Sequence, residues 1–237
     1  MANRAAYSFC QFLLRVAGTL VWRVHAEGRD RIPKTGAVIV ASTHESFLDP
    51  LVVGAYIPRH GWHMARRTLF VNKAGKRSRF WTWFAAIFGV IEVDRDGTGL
   101  GALRGAEEKL AEGGLVLIFP EGTRSTDGEI QEFRAGVGLL ARRSGATVVP
   151  VSVAGTRKIW GKGRKVPKFG KGPVRLVYGE PICYAEGVDG AEPLGAKEIA
   201  VDLRERILAL RGSDSKPTAP LRETSKSDAE PTTNNDS

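Results

Sequence analysis

The two residues best suited to acid–base chemistry together are His44 and Asp49, which stand five positions apart. A carboxylate that holds one ring nitrogen of a histidine fixes its tautomer and supports the imidazolium formed when the other nitrogen takes a proton. On an unbroken helix this spacing would set the two side chains about 140° apart, so they meet only across a turn. The plainer interpretation is a loop histidine beside an aspartate that only caps a helix.

The residues around this pair predict such a turn. Residues 37–41 form an apolar run that is typical of a buried strand. Asp49 precedes Pro50, and a residue before proline is pushed out of the helical region. Proline suits the first turn of a helix, and aspartate is a favoured N-cap. We therefore expect His44 on the loop after a strand and Asp49 at the start of the next helix.

Three further stretches accompany apolar runs, at residues 89–95, 119–125 and 148–153. With residues 42–50, in this order and at these separations, they resemble the four motifs of the glycerolipid acyltransferases, specifically the 1-acylglycerol-3-phosphate O-acyltransferase (lysophosphatidic acid acyltransferase) family. The resemblance runs from about Arg31 to Gly155. The first and third motifs match fully, whereas the second departs at Glu92, where the family usually has an apolar residue or proline.

The resemblance implies acyl transfer from a thioester to the free hydroxyl of 1-acylglycerol-3-phosphate, which gives phosphatidic acid. An alcohol is a poor nucleophile at neutral pH, and a base that removes its proton contributes typically ~10²–10⁴-fold. His44 is the candidate base, oriented by Asp49. Ser46 and Ser125 are conceivable nucleophiles, but Ser46 lacks the nucleophile-elbow pattern, and direct attack by the substrate needs neither.

The acceptor phosphate requires cationic partners, and Arg95 and Arg124 are the candidates because a guanidinium grips a phosphate through two hydrogen bonds. Gly122 allows close approach of the backbone, and Thr123 offers a hydroxyl. Glu121 is expected to order Arg124 or the loop rather than act as a base. The family likewise assigns phosphate binding to its second and third motifs. For Arg95 alone, an ion pair with a neighbouring aspartate is the alternative.

Strands alternate with helices along the chain, which predicts an α/β fold with a largely parallel or mixed central sheet flanked by helices. In such sheets ligands bind beyond the carboxyl ends of the strands. His44, Arg95 and residues 121–124 each follow a separate apolar strand, so parallel strands would gather them at one rim. Residues 157–175, with eight basic side chains and no acidic one, are expected to be largely loop. They could meet the phosphates of a coenzyme A donor or be a solvated loop.

Two segments favour a membrane surface. Residues 4–24 have an uncharged run of only 10, whereas a spanning helix needs about 20. They fit an amphipathic helix lying in the membrane interface, or one packed on the domain. Residues 66–79 carry six basic and no acidic side chains and precede an aromatic block at 80–88. A core helix or a surface for single-stranded nucleic acid are the other interpretations, although no nucleic-acid motif is present.

The net charge of +9 indicates an anionic partner. We divide the chain into an interfacial segment (1–24), an acyltransferase domain (25–212) and a polar tail expected to be disordered (213–237). We expect no metal and no bound cofactor, with acyl-CoA or acyl carrier protein as donor, lysophosphatidic acid as acceptor, no nucleic-acid partner, and a place on the cytoplasmic face of the membrane. The alternatives are another acceptor within the family, glycerol-3-phosphate or another lysophospholipid, and a non-catalytic membrane-binding module.

Overall fold

The computed structural model describes residues 4–67, 79–93, 100–164, 166–185 and 194–212. Its strands are β1 (Val24–Glu27), β2 (Val38–Ser42), β3 (Trp62–Arg66), β4 (Val90–Val93), β5 (Leu115–Ile118), β6 (Thr147–Ala154), β7 (Val174–Tyr178) and β8 (Ile182–Cys183). Its helices are α1 (Arg4–Trp22), α2 (Asp49–Tyr56), α3 (Arg79–Phe88), α4 (Leu100–Ala111), α5 (Gly136–Ser144), α6 (Thr156–Trp160) and α7 (Ala196–Gly212), with a short 3-10 turn at Arg29–Arg31.

One sheet holds the eight strands of the described ranges, in the order β1-β7-β6-β2-β5-β3-β4, with β8 paired to β6. The neighbours along this order run parallel, except β6 and β7, which run antiparallel, as do β6 and β8. The predicted α/β fold with a largely parallel sheet is therefore confirmed. Strand β2 is buried along its whole length, as an apolar run between two neighbours requires.

Alternation along β2 divides the core into two layers. Val38 and Val40 face one cluster, which includes Val53 and Tyr56 of α2. Ile39 and Ala41 face the other, which draws on helices α4, α5 and α7. Successive side chains of a strand point to opposite faces, so one apolar strand supplies both layers. The loop that follows β2 is thus held between two packed faces.

Three local details differ from the sequence-based expectations. Strand β3 was not predicted, because its mixed polar sequence lacks a strand pattern. Residues 157–160 belong to α6 rather than to a loop, since Thr156 and Ile159, three positions apart, are both buried. Asp49 begins α2, as expected, but Leu48 takes the cap position and the aspartate side chain bonds elsewhere.

Helix α1 forms as predicted and packs on the domain through apolar side chains and polar groups. The Gln11 amide donates to the carbonyls of Gly54 and Ile57, at 3.0 and 2.7 Å, and Thr19 Oγ1 lies 2.9 Å from the Tyr56 hydroxyl. The helices of the described ranges include none with the length and apolar character needed to cross a bilayer.

Several expectations concern residues outside the described ranges. Arg95 is one, and it falls within residues 94–99. Most of the basic run, at 68–78, and the polar tail at 213–237 are others.

A glycine in α5 sets the approach of α5 to α7. A Cβ at Gly138 would come under 3.0 Å from the carbonyl carbon and oxygen of Ala196. Gly138→Ala should therefore lower the free energy of unfolding by about 1–3 kcal/mol, measured by urea denaturation. Gly101→Ala is the control, because nothing lies within 4 Å of the added methyl and alanine is the better helix former by about 0.5–1 kcal/mol. Equal stability of the two variants would show that α7 does not pack as closely as described.

Candidate active site

The loops that carry the predicted residues lie side by side because their strands do. Strands β2 and β5 are parallel neighbours, with Ala41 opposite Ile118. The backbone N–H of His44 donates to Glu121 Oε1 at 2.7 Å, and the Ser125 N–H donates to the His44 carbonyl at 2.8 Å. The loop after β2 is therefore hydrogen-bonded to the loop after β5 on both sides of the histidine.

Asp49 holds the imidazole of His44. Asp49 Oδ2 lies 2.9 Å from His44 Nδ1 and accepts the backbone N–H groups of Glu45 and Ser46, each at 2.7 Å. The carboxylate is fully buried. A carboxylate only accepts hydrogen bonds, so Nδ1 carries the hydrogen and Nε2 is the nitrogen with a free lone pair. The ring lies against Phe119, with centroids 4.2 Å apart, and keeps 18% of its side chain exposed.

A second group of residues, which the sequence analysis missed, contacts the carboxylates of Asp49 and Glu45. Thr156 Oγ1 lies 2.5 Å from Asp49 Oδ1 and 3.1 Å from Glu45 Oε1. The Arg157 N–H donates to the same Glu45 oxygen at 3.2 Å. Arg211, at the end of α7, reaches the other Glu45 oxygen at 3.4 Å. Both carboxylates beside the histidine are thus tied to elements far along the chain.

Burial raises the pKa of the two glutamates near the histidine, Glu45 and Glu121. Desolvation raises the pKa of Glu45, and the charge of Asp49 adds to that, against the hydrogen bond from the Arg157 N–H and the charge of Arg211. Desolvation also raises the pKa of Glu121, against the N–H groups of His44 and Gln131. Both oxygens of Glu121 accept from these two N–H groups. Its geometry is that of a loop support.

The Arg124 guanidinium lies over the ring of Phe47, 3.6 Å from the ring centroid. Its Nη1 is buried and has no hydrogen-bond partner. Burial lowers the pKa of Arg124, and the charge of Arg66 lowers it further. Arg66, at the end of β3, donates to the Gly122 carbonyl and is a residue that the sequence analysis placed in a membrane-facing run instead. Two guanidinium groups therefore converge beside this loop.

Two smaller features complete the loop after β5. Gly122 has a φ of 67°, and a Cβ there would meet Arg134 Nε at 2.5 Å, so the position requires glycine. Thr123 is exposed. The structure thus gathers six of the seven predicted site residues at one rim; the seventh, Arg95, lies outside the described residues.

The two serines considered as nucleophiles have other partners. Ser46 Oγ donates to the Trp160 carbonyl at 2.8 Å and accepts the Leu48 N–H at 3.0 Å. Ser125 Oγ donates to Asp127 Oδ1 at 2.8 Å and accepts the Gly128 N–H at 2.9 Å. Each hydroxyl fixes a turn. Within the residues that the structure describes, no three His, Cys, Asp or Glu side chains group as metal ligands would.

The buried Glu45 gives a pH dependence with a defined sign. Its folded pKa is raised, so on raising the pH the unfolded chain loses this proton first, and the stability contributed by Glu45 falls as the pH passes through the folded pKa. Glu45→Gln removes that dependence. The difference in unfolding free energy should therefore shift in favour of the variant as the pH rises above about 4, measured by urea denaturation. Ser144→Ala, a neutral change away from the network, should show a constant difference.

The chain resembles known proteins over most of its length. Residues 23–154 match the family model described as Acyltransferase. A Bacillus subtilis (strain 168) protein named 1-acyl-sn-glycerol-3-phosphate acyltransferase is 29% identical over 184 residues, which cover 76% of this chain and 84% of that one. A Pseudomonas aeruginosa protein of the same name is 30% identical over 199 residues, with 78% and 70% covered. A chloroplastic Arabidopsis thaliana relative is matched over 44% of its length.

A solved structure agrees with these sequences. The crystal structure of the 1-acyl-sn-glycerophosphate (LPA) acyltransferase PlsC from Thermotoga maritima superposes with a TM-score of 0.68 at 28% identity. The match covers 89% of this chain and 81% of that one. The resemblance found in the motifs is thereby confirmed. The family model matches more than half of the residues, and the structure places His44 and Asp49 at the rim of a largely parallel sheet. The chain therefore belongs to the acyltransferase family.

Proposed function

We propose that this protein is a 1-acyl-sn-glycerol-3-phosphate acyltransferase, which transfers a fatty acyl group from a thioester to the free hydroxyl of lysophosphatidic acid. The observation that carries the proposal is the His44 Nδ1 to Asp49 Oδ2 hydrogen bond of 2.9 Å at the carboxyl end of β2. The bacterial relatives, which this chain covers over most of their length, bear that name.

In the mechanism, His44 acts as the general base. Its Nε2 takes the proton of the acceptor hydroxyl as the oxygen attacks the thioester carbonyl. A carbon–oxygen bond forms, and the tetrahedral intermediate collapses with cleavage of the carbon–sulfur bond. The imidazolium then returns its proton to the departing thiolate. The Asp49 carboxylate stabilises the imidazolium throughout, and no serine of the protein needs to carry the acyl group.

Arg124 and Arg66 are the described cations that suit the acceptor phosphate. The unpartnered, buried Nη1 of Arg124 offers a donor that a phosphate oxygen would satisfy. A dianion between the two guanidinium groups would also relieve their mutual repulsion. The exposed Thr123 hydroxyl adds a donor at the same loop, and Arg95 is proposed as a further ligand from the second motif.

The donor is a diffusible thioester, acyl-CoA or acyl carrier protein, and not a bound cofactor. We place the protein on the cytoplasmic face of the membrane, where the positive charge of the chain faces anionic lipid. Helix α1 carries an apolar stripe on its solvent side, in which the residues recur every three or four positions. The stripe consists of Phe9, Phe12, Leu13, Val16 and Leu20, all exposed.

The opposite side of α1 is already occupied, so the stripe is free to meet a membrane. Tyr7 and Gln11 on that side are buried, and Gln11 is bonded to the carbonyls at the end of α2. The helix thus packs on the domain through these hydrogen bonds and through apolar contacts of Tyr7, Leu14 and Trp22, and it presents the stripe outward. This is the arrangement of an interfacial helix that lies in the plane of the headgroups.

The proposed function is tested by acyl transfer in detergent from labelled oleoyl-CoA to a panel of lysophosphatidic acid, glycerol-3-phosphate and uncharged lysolipids. The wild type should make labelled phosphatidic acid from lysophosphatidic acid, and His44→Ala should reduce kcat by ~10²–10⁴-fold because it removes the base. His25→Ala is the matched control, since that histidine is exposed on β1. Preference for another acceptor would replace the proposed substrate, and full activity of His44→Ala would refute the base.

A variant of the stripe tests membrane association separately. Phe9→Ser with Phe12→Ser should weaken co-sedimentation with anionic vesicles by about tenfold or more. Each aromatic ring that becomes buried in the membrane contributes about 1.5–3 kcal/mol to the free energy of binding. Val201→Ser, an exposed apolar residue on α7, is the control and should bind like wild type. Turnover of short-chain, soluble acceptors should be unchanged in both. Unaltered vesicle binding by the double variant would exclude the stripe as the docking surface.

A further inference from the structure

A pocket of about 410 Å³ lies beside the histidine loop and plays no part in the chemistry described above. Its volume is within the range of roughly 300–1,000 Å³ that is usual for small-molecule sites. Three of its lining residues are cationic and none is acidic. The lining consists of Thr126, Arg157, Gly161, Lys162, Gly163 and Arg164.

Both walls of this pocket are bonded to the histidine loop. On one wall, Ser46 forms a backbone bridge with Gly161, and Ser46 Oγ donates to the carbonyl of Trp160. On the other, Thr126 follows Ser125, whose N–H donates to the His44 carbonyl at 2.8 Å. The Arg157 N–H bonds to the carboxylate of Glu45, the residue next to His44. The walls of the pocket are therefore held against the loop that carries His44.

The pocket's cations form a group separate from the guanidinium pair assigned to the acceptor phosphate. The pKa of Arg124 responds to the charges of Arg66 and Asp49, and the charge of Arg157 is not among its causes. The Arg157 guanidinium lies instead against Gly128 and donates to the Thr126 carbonyl at 3.2 Å. The site thus has two cationic centres, one for each substrate phosphate group if both substrates are phosphorylated.

We propose that this pocket binds the 3′-phosphate and diphosphate end of a coenzyme A thioester, with the pantetheine arm running from the pocket to His44. The inference rests on the proposed function, because that function supplies the thioester. Coenzyme A concentrates several phosphate charges at one end, whereas the prosthetic group of a carrier protein has a single phosphodiester. Three cations around one small pocket fit the former, since each charge-assisted hydrogen bond needs its own donor.

The test uses a charge-reversed double variant, Lys162→Glu with Arg164→Glu, in the full chain. In detergent, and at saturating lysophosphatidic acid, its KM for oleoyl-CoA should rise about tenfold or more, with the KM for the acceptor unchanged. The matched control is Lys168→Glu with Lys171→Glu, which makes the same charge change on the same loop at exposed positions outside the pocket. An equal rise in the control, or a rise in the acceptor KM instead, would overturn the proposal.

A second probe addresses the phosphate itself. Oleoyl-dephospho-CoA, which lacks the 3′-phosphate, should be used about tenfold less well than oleoyl-CoA by the wild type and the control, and the double variant should lose that discrimination. Turnover with acyl carrier protein alone would overturn the proposal while leaving acyl transfer intact. Binding of free coenzyme A, measured by calorimetry and weakened only in the double variant, would support the pocket assignment even if no acyl transfer is detected. This measurement therefore tests the pocket separately from the proposed function. Absence of coenzyme A binding to the wild type would refute the pocket assignment.

Discussion

The buried carboxylate of Asp49 is the constraint on which the site depends. A carboxylate with no exposure is unfavourable by several kcal/mol unless its oxygens are satisfied. Here one oxygen accepts two backbone N–H groups and meets the histidine ring, and the other meets the Thr156 hydroxyl. The same bonds that offset its burial therefore bend the chain between β2 and α2 and orient the imidazole. The orientation of the imidazole and the conformation of the loop therefore both depend on the Asp49 carboxylate.

The parallel pairing of β2 and β5 explains why this arrangement needs two distant segments. In parallel strands the carboxyl ends share an edge, so the loops that follow them become neighbours. The backbone of His44 uses that proximity twice, as a donor to Glu121 and as an acceptor from Ser125. The third-motif loop therefore fixes the backbone at His44, and it also carries Arg124, the proposed ligand of the acceptor phosphate. A change in register between these strands would break the hydrogen bonds that join the two loops.

The residues predicted from sequence are those whose local pattern already encodes their position. His44 with Asp49, and the loop at 119–125, follow apolar strands and precede helix or turn signals, so their place at a sheet rim could be inferred. Thr156 and Arg211 could not, since they meet Glu45 only after β6 and α7 have packed, across 111 and 166 residues. The position of Arg66 beside this loop was also not predicted, because its strand has no apolar alternation and its basic neighbours indicated a membrane surface.

The cations near the histidine loop form two groups. Arg124 belongs to the third-motif loop and Arg66 donates to its Gly122 carbonyl, whereas Arg157, Lys162 and Arg164 line the pocket whose walls are bonded to the histidine loop. Like charges gathered in one place would raise each other's electrostatic energy, so dividing them into two groups limits the repulsion in the free protein. In the proposed mechanism, the acceptor and donor phosphates would then bind at separate groups of cations. The proposed membrane contact is separate from both groups, because the stripe on α1 consists of exposed apolar side chains.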